Sequence, residues 1–227
     1  MIYALDTSVV VAAVTGPSDR LWQKWTRFNQ TAARERFVPR AAYERFELVV
    51  EGIGTTNPGF MELLISDTVG LIWNSGDQKP SAVEADRMGL KGNRKARVLG
   101  LIEAVERDLD GHVWSCTRAC DAIRSYERDF ARRRIEFFRN HPALSPSDQI
   151  RLTDLTQKLF AINPSGGVSW RETCCTIAQS ALVGEDRHER VTLVTEDGHR
   201  VGTHSERILS ISNLEGLVDL SLSPHRP

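Results

Sequence analysis

The sequence has no apolar run approaching the roughly 20 residues that a membrane-crossing helix needs, so no membrane partner is expected. No basic segment precedes the first apolar run, and Asp6 interrupts it, so no secretory signal is expected either. Cysteine is scarce. The four thiols stand at positions 116, 120, 174 and 175, without the C-x-x-C spacings of zinc sites. Cys116 and Cys120 share a helix face, and the expected role of all four is small core side chains in a reducing cytoplasm. There is no Walker loop, no G-x-G-x-x-G and no G-x-S-x-G, so nucleotide-binding and serine-hydrolase classes have no support. Net charge is only −1, so nucleic acid would have to meet a local basic patch. Neither an internal repeat nor a low-complexity tract is present.

What is present suits an ordinary globular protein. At 227 residues, 41% hydrophobic and 26% charged, the chain is long enough to bury a full core as one large domain, or as one domain with an insertion. Its first stretch, MIYALDTSVVVAAV, reads as a short buried strand (Ile2–Leu5), a carboxylate at Asp6, two hydroxyls at Thr7 and Ser8, and a helix. In an open parallel sheet, ligand sites lie outside the carboxyl ends of the strands. A carboxylate with hydroxyls beside it there suits a hard cation such as Mg2+. Helix capping by Asp6 or Thr7 explains the same residues equally well.

Further along, Pro17–Ser18–Asp19 predicts the start of a helix running to about Glu35, and Phe37–Val38 a second strand. Arg40 to Glu51 reads as a helix with an apolar stripe of Ala42, Tyr43, Phe46, Val49, Val50 and Ile53. Glu47 lies at the edge of that stripe, with Glu44 and Glu51 further round. From about 55 to 145 breakers recur between helical segments, the longest spanning about His112 to Asn140. That helix carries Arg118, Arg124, Arg128, Arg132, Arg133, Arg134 and Arg139. The density suits a phosphate-contacting surface. Interleaved Asp121, Glu127, Asp129 and Glu136 suit a solvated helix laced with ion pairs equally well.

Ser147 is expected to cap a helix from Asp148 to Phe160. A loop at Asn163–Gly167, a helix from about Ser169 to Val183 and a charged loop at Gly184–Arg190 follow. Val191–Val194 reads as a buried strand delivered into Thr195, Glu196 and Asp197, repeating the opening order of strand then acid. Ile208–Ile211 is expected to be a last strand, with Asn213 capping a helix over Leu214–Val218 and a disordered tail at 221–227. The alternation points to an α/β sandwich, with helices covering a small parallel sheet. Adjacent strands would bring Asp6 and Asp197 close together, and a divalent cation would relieve their repulsion.

ALDTSVVVAAV at the start, with VTLVTEDGHR and ILSISNLEGLV near the end, resembles the PIN domain, a family of metal-dependent nucleases. The resemblance covers about residues 1–54 and 146–220. It implies a three-layer α/β/α PIN-like sandwich over residues 1–220, interrupted by a helical insertion at about 55–145. It implies Mg2+ or Mn2+ held by Asp6, by Glu47 or Glu44, and by Asp197, with Thr195 beside it. The family's remaining acid falls on Cys174 when Ile177, Ala181 and Leu182 are aligned to its pattern. Glu172, two residues earlier, is the substitute, and Asp148 a weaker one because helix capping explains it.

The activity so implied is endonucleolytic cleavage of single-stranded RNA, or of single-stranded DNA, in the cytoplasm. Asp6, Glu47, Glu172 and Asp197 would be catalytic, and Ser8, Thr195, Arg132 and Arg133 would contact substrate. Trp73, Trp114 and Trp170 offer base stacking or core packing. Cys174 at an acid position motivates an alternative, a catalytically weak module that binds RNA or protein. A toxin ribonuclease paired with an antitoxin protein is a third reading, and a homodimer a further candidate assembly. A haloacid-dehalogenase-type phosphatase also begins strand–Asp, but it places a second aspartate where this chain has Ser8.

Overall fold

A computed structural model describes residues 1–16, 22–31, 34–53, 57–196 and 198–220. Ile2–Leu5 forms strand β1, and Thr7–Thr15 forms helix α1. Trp22–Thr31 is α2, Arg36–Pro39 is β2 and Arg40–Glu51 is α3. Gly52–Ile53 (β3) and Asn57–Pro58 (β4) form a short antiparallel pair. Four helices follow: α4 (Phe60–Ser75), α5 (Ala82–Arg87), α6 (Gly92–Asp108) and α7 (Cys116–Asn140). Ala143–Leu144 is β5, Gln149–Phe160 is α8, and a 3-10 turn at Pro164–Gly166 leads into α9, Gly167–Asp186. The chain then runs through β6 (Val191–Thr195), α10 (Gly198–Thr203), α11 (Ser205–Ser212) and β7 (Gly216–Asp219).

Five strands form one sheet in the order β5-β2-β1-β6-β7, and every pairing is parallel. The central position of β1 explains its composition, because a strand buried on both faces reads as a continuous apolar run. Register is set by Ile2 opposite Val191 and Leu5 opposite Val194 on one side, and by Tyr3 opposite Arg36 on the other.

The chain divides into two compact units. Met1–Val11, Lys24–Phe46 and Phe137–Pro227 make the first, and Ala12–Gln23 with Glu47–Glu136 make the second. In the first, alternate residues of β1 serve different clusters, as the two-residue period of a strand requires. Ile2 and Ala4 join Phe37, Leu159, Trp170, Ile177, Leu182 and Leu193 in a buried core. Tyr3 meets the edge of Phe28, beside Trp25 and Phe137. In the second unit, the carbonyls ending α1 are taken up by α7. Tyr126 Oη donates to Thr15 O at 2.8 Å and Arg133 Nε to Val14 O at 2.9 Å. Gly16 turns the chain there at φ +71, with the Arg133 guanidinium where a side chain would stand.

The C-terminal elements differ from expectation. Ile208–Ile211 lies in helix α11 and not in a strand, while the segment expected to be a helix over Leu214–Val218 contributes β7. Asn213 ends α11 in the left-handed conformation at φ 57, and so closes a helix where it was expected to begin one. Four-residue apolar runs carry too little periodicity to separate helix from strand. Asp148, not Ser147, caps α8: its carboxylate accepts from Ile150 N at 3.0 Å and Arg151 N at 2.9 Å. Ser147 is held instead by Asp186. Helix α9 continues through Asp186, shortening the expected charged loop. The residues at 17–21 and the tail at 221–227 lie outside the described residues. Among the described residues, no helix is long and apolar enough to cross a membrane.

One buried titratable group gives the first unit a pH dependence. His141 stacks on Phe137 at 4.4 Å, meets Trp25 edge-on, and places Nδ1 2.8 Å from Phe137 O. Burial pushes its pKa below the ordinary 6.5. As pH falls below 6.5, the unfolded chain takes up this proton before the folded one. Stability is therefore complete above 6.5 and is lost as pH falls toward the depressed folded value. Urea midpoints measured between pH 7 and 5 should decline with a His141 component of at most about 1.4 kcal/mol per pH unit. That component should vanish in His141→Gln. An unchanged pH profile in the variant would remove His141 as its source.

Candidate active site at the carboxyl end of the central strand

The site is built where β1 gives way to α1. Asp6 N donates to Val194 O at 3.0 Å, extending the β1–β6 ladder by one residue. Asp6 O accepts from Val9 N and Val10 N, both at 3.0 Å, and so starts α1. The backbone of Asp6 thus belongs to the sheet and the helix at once. Its carboxylate is held from three sides. Thr7 N donates to Oδ1 at 2.7 Å, Thr195 Oγ1 to Oδ2 at 2.9 Å, and Ser8 Oγ to Oδ2 at 3.3 Å. Ser8 Oγ in turn accepts from Glu196 N at 3.1 Å, tying the two strand ends together. Asp6, Ser8 and Thr195, which the sequence placed in one site, are brought together. Asp197 lies outside the described residues.

Burial outweighs these bonds in setting the protonation of Asp6. Desolvation raises its pKa above 3.8, while Thr195, Thr7, Arg45 and Ser8 pull it down. A carboxylate left uncomfortable by burial gains from any nearby positive charge. The donor set is hard oxygen throughout, which suits Mg2+ or Mn2+ over softer metals.

The remaining candidates are held by arginines. Glu44, on an exposed face of α3, pairs with Arg40 at 2.9 Å. Glu172 on α9 lies 3.3 Å from Arg45 Nε. Glu47 belongs to the second unit, where Arg134 Nη2 reaches both its oxygens at 2.7 Å. Arg134 Nη1 also holds Glu51 at 2.6 Å. Of the proposed substrate contacts, Arg132 is exposed and paired with Asp129, while Arg133 is occupied by the end of α1. Among the described residues, no group of three or more His, Cys, Asp or Glu side chains is placed to hold a metal ion.

Cys174, the residue aligned with the family's missing acid, is fully buried in the core with Ile177, Ala178 and Leu182. Burial pushes its thiol up to about 12. Glu172 stands two positions earlier, about 200° round the helix, and so faces away from Cys174. The α9 face carrying Glu172 also carries Gln179, whose Oε1 accepts from Ala41 N at 2.7 Å at the start of α3. α3 in turn reaches the carboxyl end of β1, because Thr7 Oγ1 donates to Ala42 O at 3.3 Å.

Three residues at this edge escaped the sequence reading. Arg45 stands between Glu44 and Phe46, and nothing in its local sequence marks it as a site residue. Gln179 carried a signal in its seven-residue spacing from Glu172. Asp219 ends β7 in register with Thr195, on the same edge of the sheet as Asp6. Its signal was the run G-L-V-D, a third instance of apolar strand then acid, hidden by reading that run as a helix. No family model matches the chain, and no curated protein or solved structure matches it either.

Proposed function

We propose that the chain is a metal-dependent endonuclease that cleaves single-stranded RNA. In this reading the fold is a three-layer PIN-like sandwich, and about 55–145 is its helical insertion. One observation carries the proposal: a desolvated carboxylate, Asp6, sits at the carboxyl end of the central parallel strand with two hydroxyls fixing its orientation. Asp6 would be the principal ligand of Mg2+ or Mn2+, with Asp197 and Glu172 as further carboxylates. When bound, such a cation supplies charge for the phosphate in transition and activates the attacking water. Thr195 and Ser8 hold the Asp6 carboxylate in one rotamer, so its oxygens need no reorganisation when a cation enters. Ser8 also anchors the Glu196 amide, which fixes the position of the β6 end relative to Asp6.

A second reading has its own support. Glu44, Glu47 and Glu172 each lie in an ion pair with an arginine, and Cys174 is a core residue. Such a site suits a PIN-like module that binds RNA or a protein without cutting. Labelled single-stranded RNA incubated with Mn2+ separates the two, with single-stranded DNA run beside it. The nuclease reading expects cleavage by wild type and a loss of about 100-fold or more in Asp6→Asn. Equal inertness of both proteins, with RNA still retained on a filter, would favour the binding module.

A further inference from the structure

Arg45 is a cation tied to this edge of the sheet by contacts from two neighbouring elements. Its guanidinium Nε lies 3.3 Å from Glu172 Oε2, joining α3 to α9. One helical turn before it, Ala42 O accepts the hydroxyl of Thr7, the residue next to Asp6. Ala41 N, on the same turn, is bound by Gln179 of α9. The helix segment bearing Arg45 is thereby fixed between the carboxyl end of β1 and the face of α9 that carries Glu172. Its charge also acts favourably on Asp6.

We propose that Arg45 is a built-in counter-ion for Asp6 and Glu172, which a divalent cation must displace from those carboxylates. This rests on the metal-site reading above and deepens it. A guanidinium keeps its proton at any ordinary pH, so the neutralisation is permanent in the metal-free protein. It is a single charge spread over a planar fork, whereas Mg2+ concentrates two charges on a small ion with close oxygen contacts. The metal therefore wins the carboxylates, but against a resident competitor and with a positive charge left nearby. Arg45 accordingly lowers metal affinity and offsets the charge of each carboxylate when no metal is bound. It is a positioning residue and takes no part in bond making.

Mn2+ binding without substrate tests this, with free Mn2+ counted by its electron spin resonance signal. Arg45→Gln should bind Mn2+ roughly tenfold more tightly than wild type, since a nearby like charge is removed. Arg45→Lys should stay close to wild type, and Asp6→Asn should bind far more weakly. A merely structural role for Arg45 predicts the opposite sign, because damage to a site weakens its ligand. In wild type labelled with 15N-arginine, the Arg45 Nε–H signal should move on adding Mg2+ and stay fixed in Asp6→Asn. If wild type binds Mn2+ while Arg45→Gln binds no tighter, or the Arg45 signal ignores bound Mg2+, the counter-ion role is wrong and the metal site stands. If neither wild type nor Arg45→Gln binds Mn2+, both ideas are lost.

Discussion

Metal-free Asp6→Asn protein should melt a few degrees above wild type at pH 7, and the order should reverse when Mn2+ is added. The first half follows from the carboxylate's surroundings. Its pKa in the folded protein is raised above the ordinary 3.8 because burial penalises the charged form. Below 3.8 both states are protonated and the group contributes no difference. As pH rises through 3.8, the unfolded chain releases its proton first, so folding loses stability. The loss is complete once pH exceeds the raised folded value. Asparagine mimics the protonated side chain in shape and is spared the penalty. Its carbonyl can still accept from Thr7 N, and its amide can donate to the hydroxyls of Thr195 and Ser8, which can rotate to accept. A gain in stability is expected at pH 7, and none near pH 3. The second half follows from mass action. A cation held by wild type alone, at 100 times its dissociation constant, stabilises the fold by about 2.7 kcal/mol. Thermal melts of the two proteins, with and without Mn2+, should cross. Curves that keep the same order in both conditions would leave Asp6 without a metal role.

Cys174→Asp, the substitution that would restore the acid of the family pattern, should instead cripple the fold. The side chain lies fully buried in the apolar cluster that also holds Ile177, Ala178 and Leu182. A carboxylate there must either ionise in an apolar setting or stay protonated at neutral pH. The expected cost is roughly 3–5 kcal/mol, the range seen when a charge is buried without a partner. Cys174→Ala removes only a small side chain and should cost about 1 kcal/mol. Urea unfolding of the three proteins measures both differences. Wild-type stability in Cys174→Asp, together with tighter Mn2+ binding, would mean that α9 turns this position toward Asp6 after all.

The sequence made some of this edge legible and hid the rest for definable reasons. The order apolar run, Asp6, Thr7–Ser8, apolar run is local, and it correctly located β1, α1 and the carboxylate between them. Thr195 was legible for the same reason, since VTLVT announces a buried strand and its end. The bounds of α3 are legible because Pro39 precedes it and its apolar stripe is long. The pairings were not legible. Whether a glutamate is exposed, free or held by an arginine depends on a partner far along the chain, as with Arg45 and Glu172 or Arg134 and Glu47. The exchange of helix and strand at α11 and β7 had a further effect: it concealed Asp219 as an acid at a strand end.

Placing β1 at the middle of the sheet has a consequence for how the protein is made. The bond from Thr195 to Asp6 joins residues 189 positions apart. During synthesis, β1 leaves the ribosome long before β6 exists to cover its second edge, so the nascent chain carries an apolar strand with that edge open until residues 191–195 are made. Any interruption of synthesis before residue 191 yields a product whose Asp6 carboxylate lacks the Thr195 hydroxyl and whose central strand is open to association with other chains.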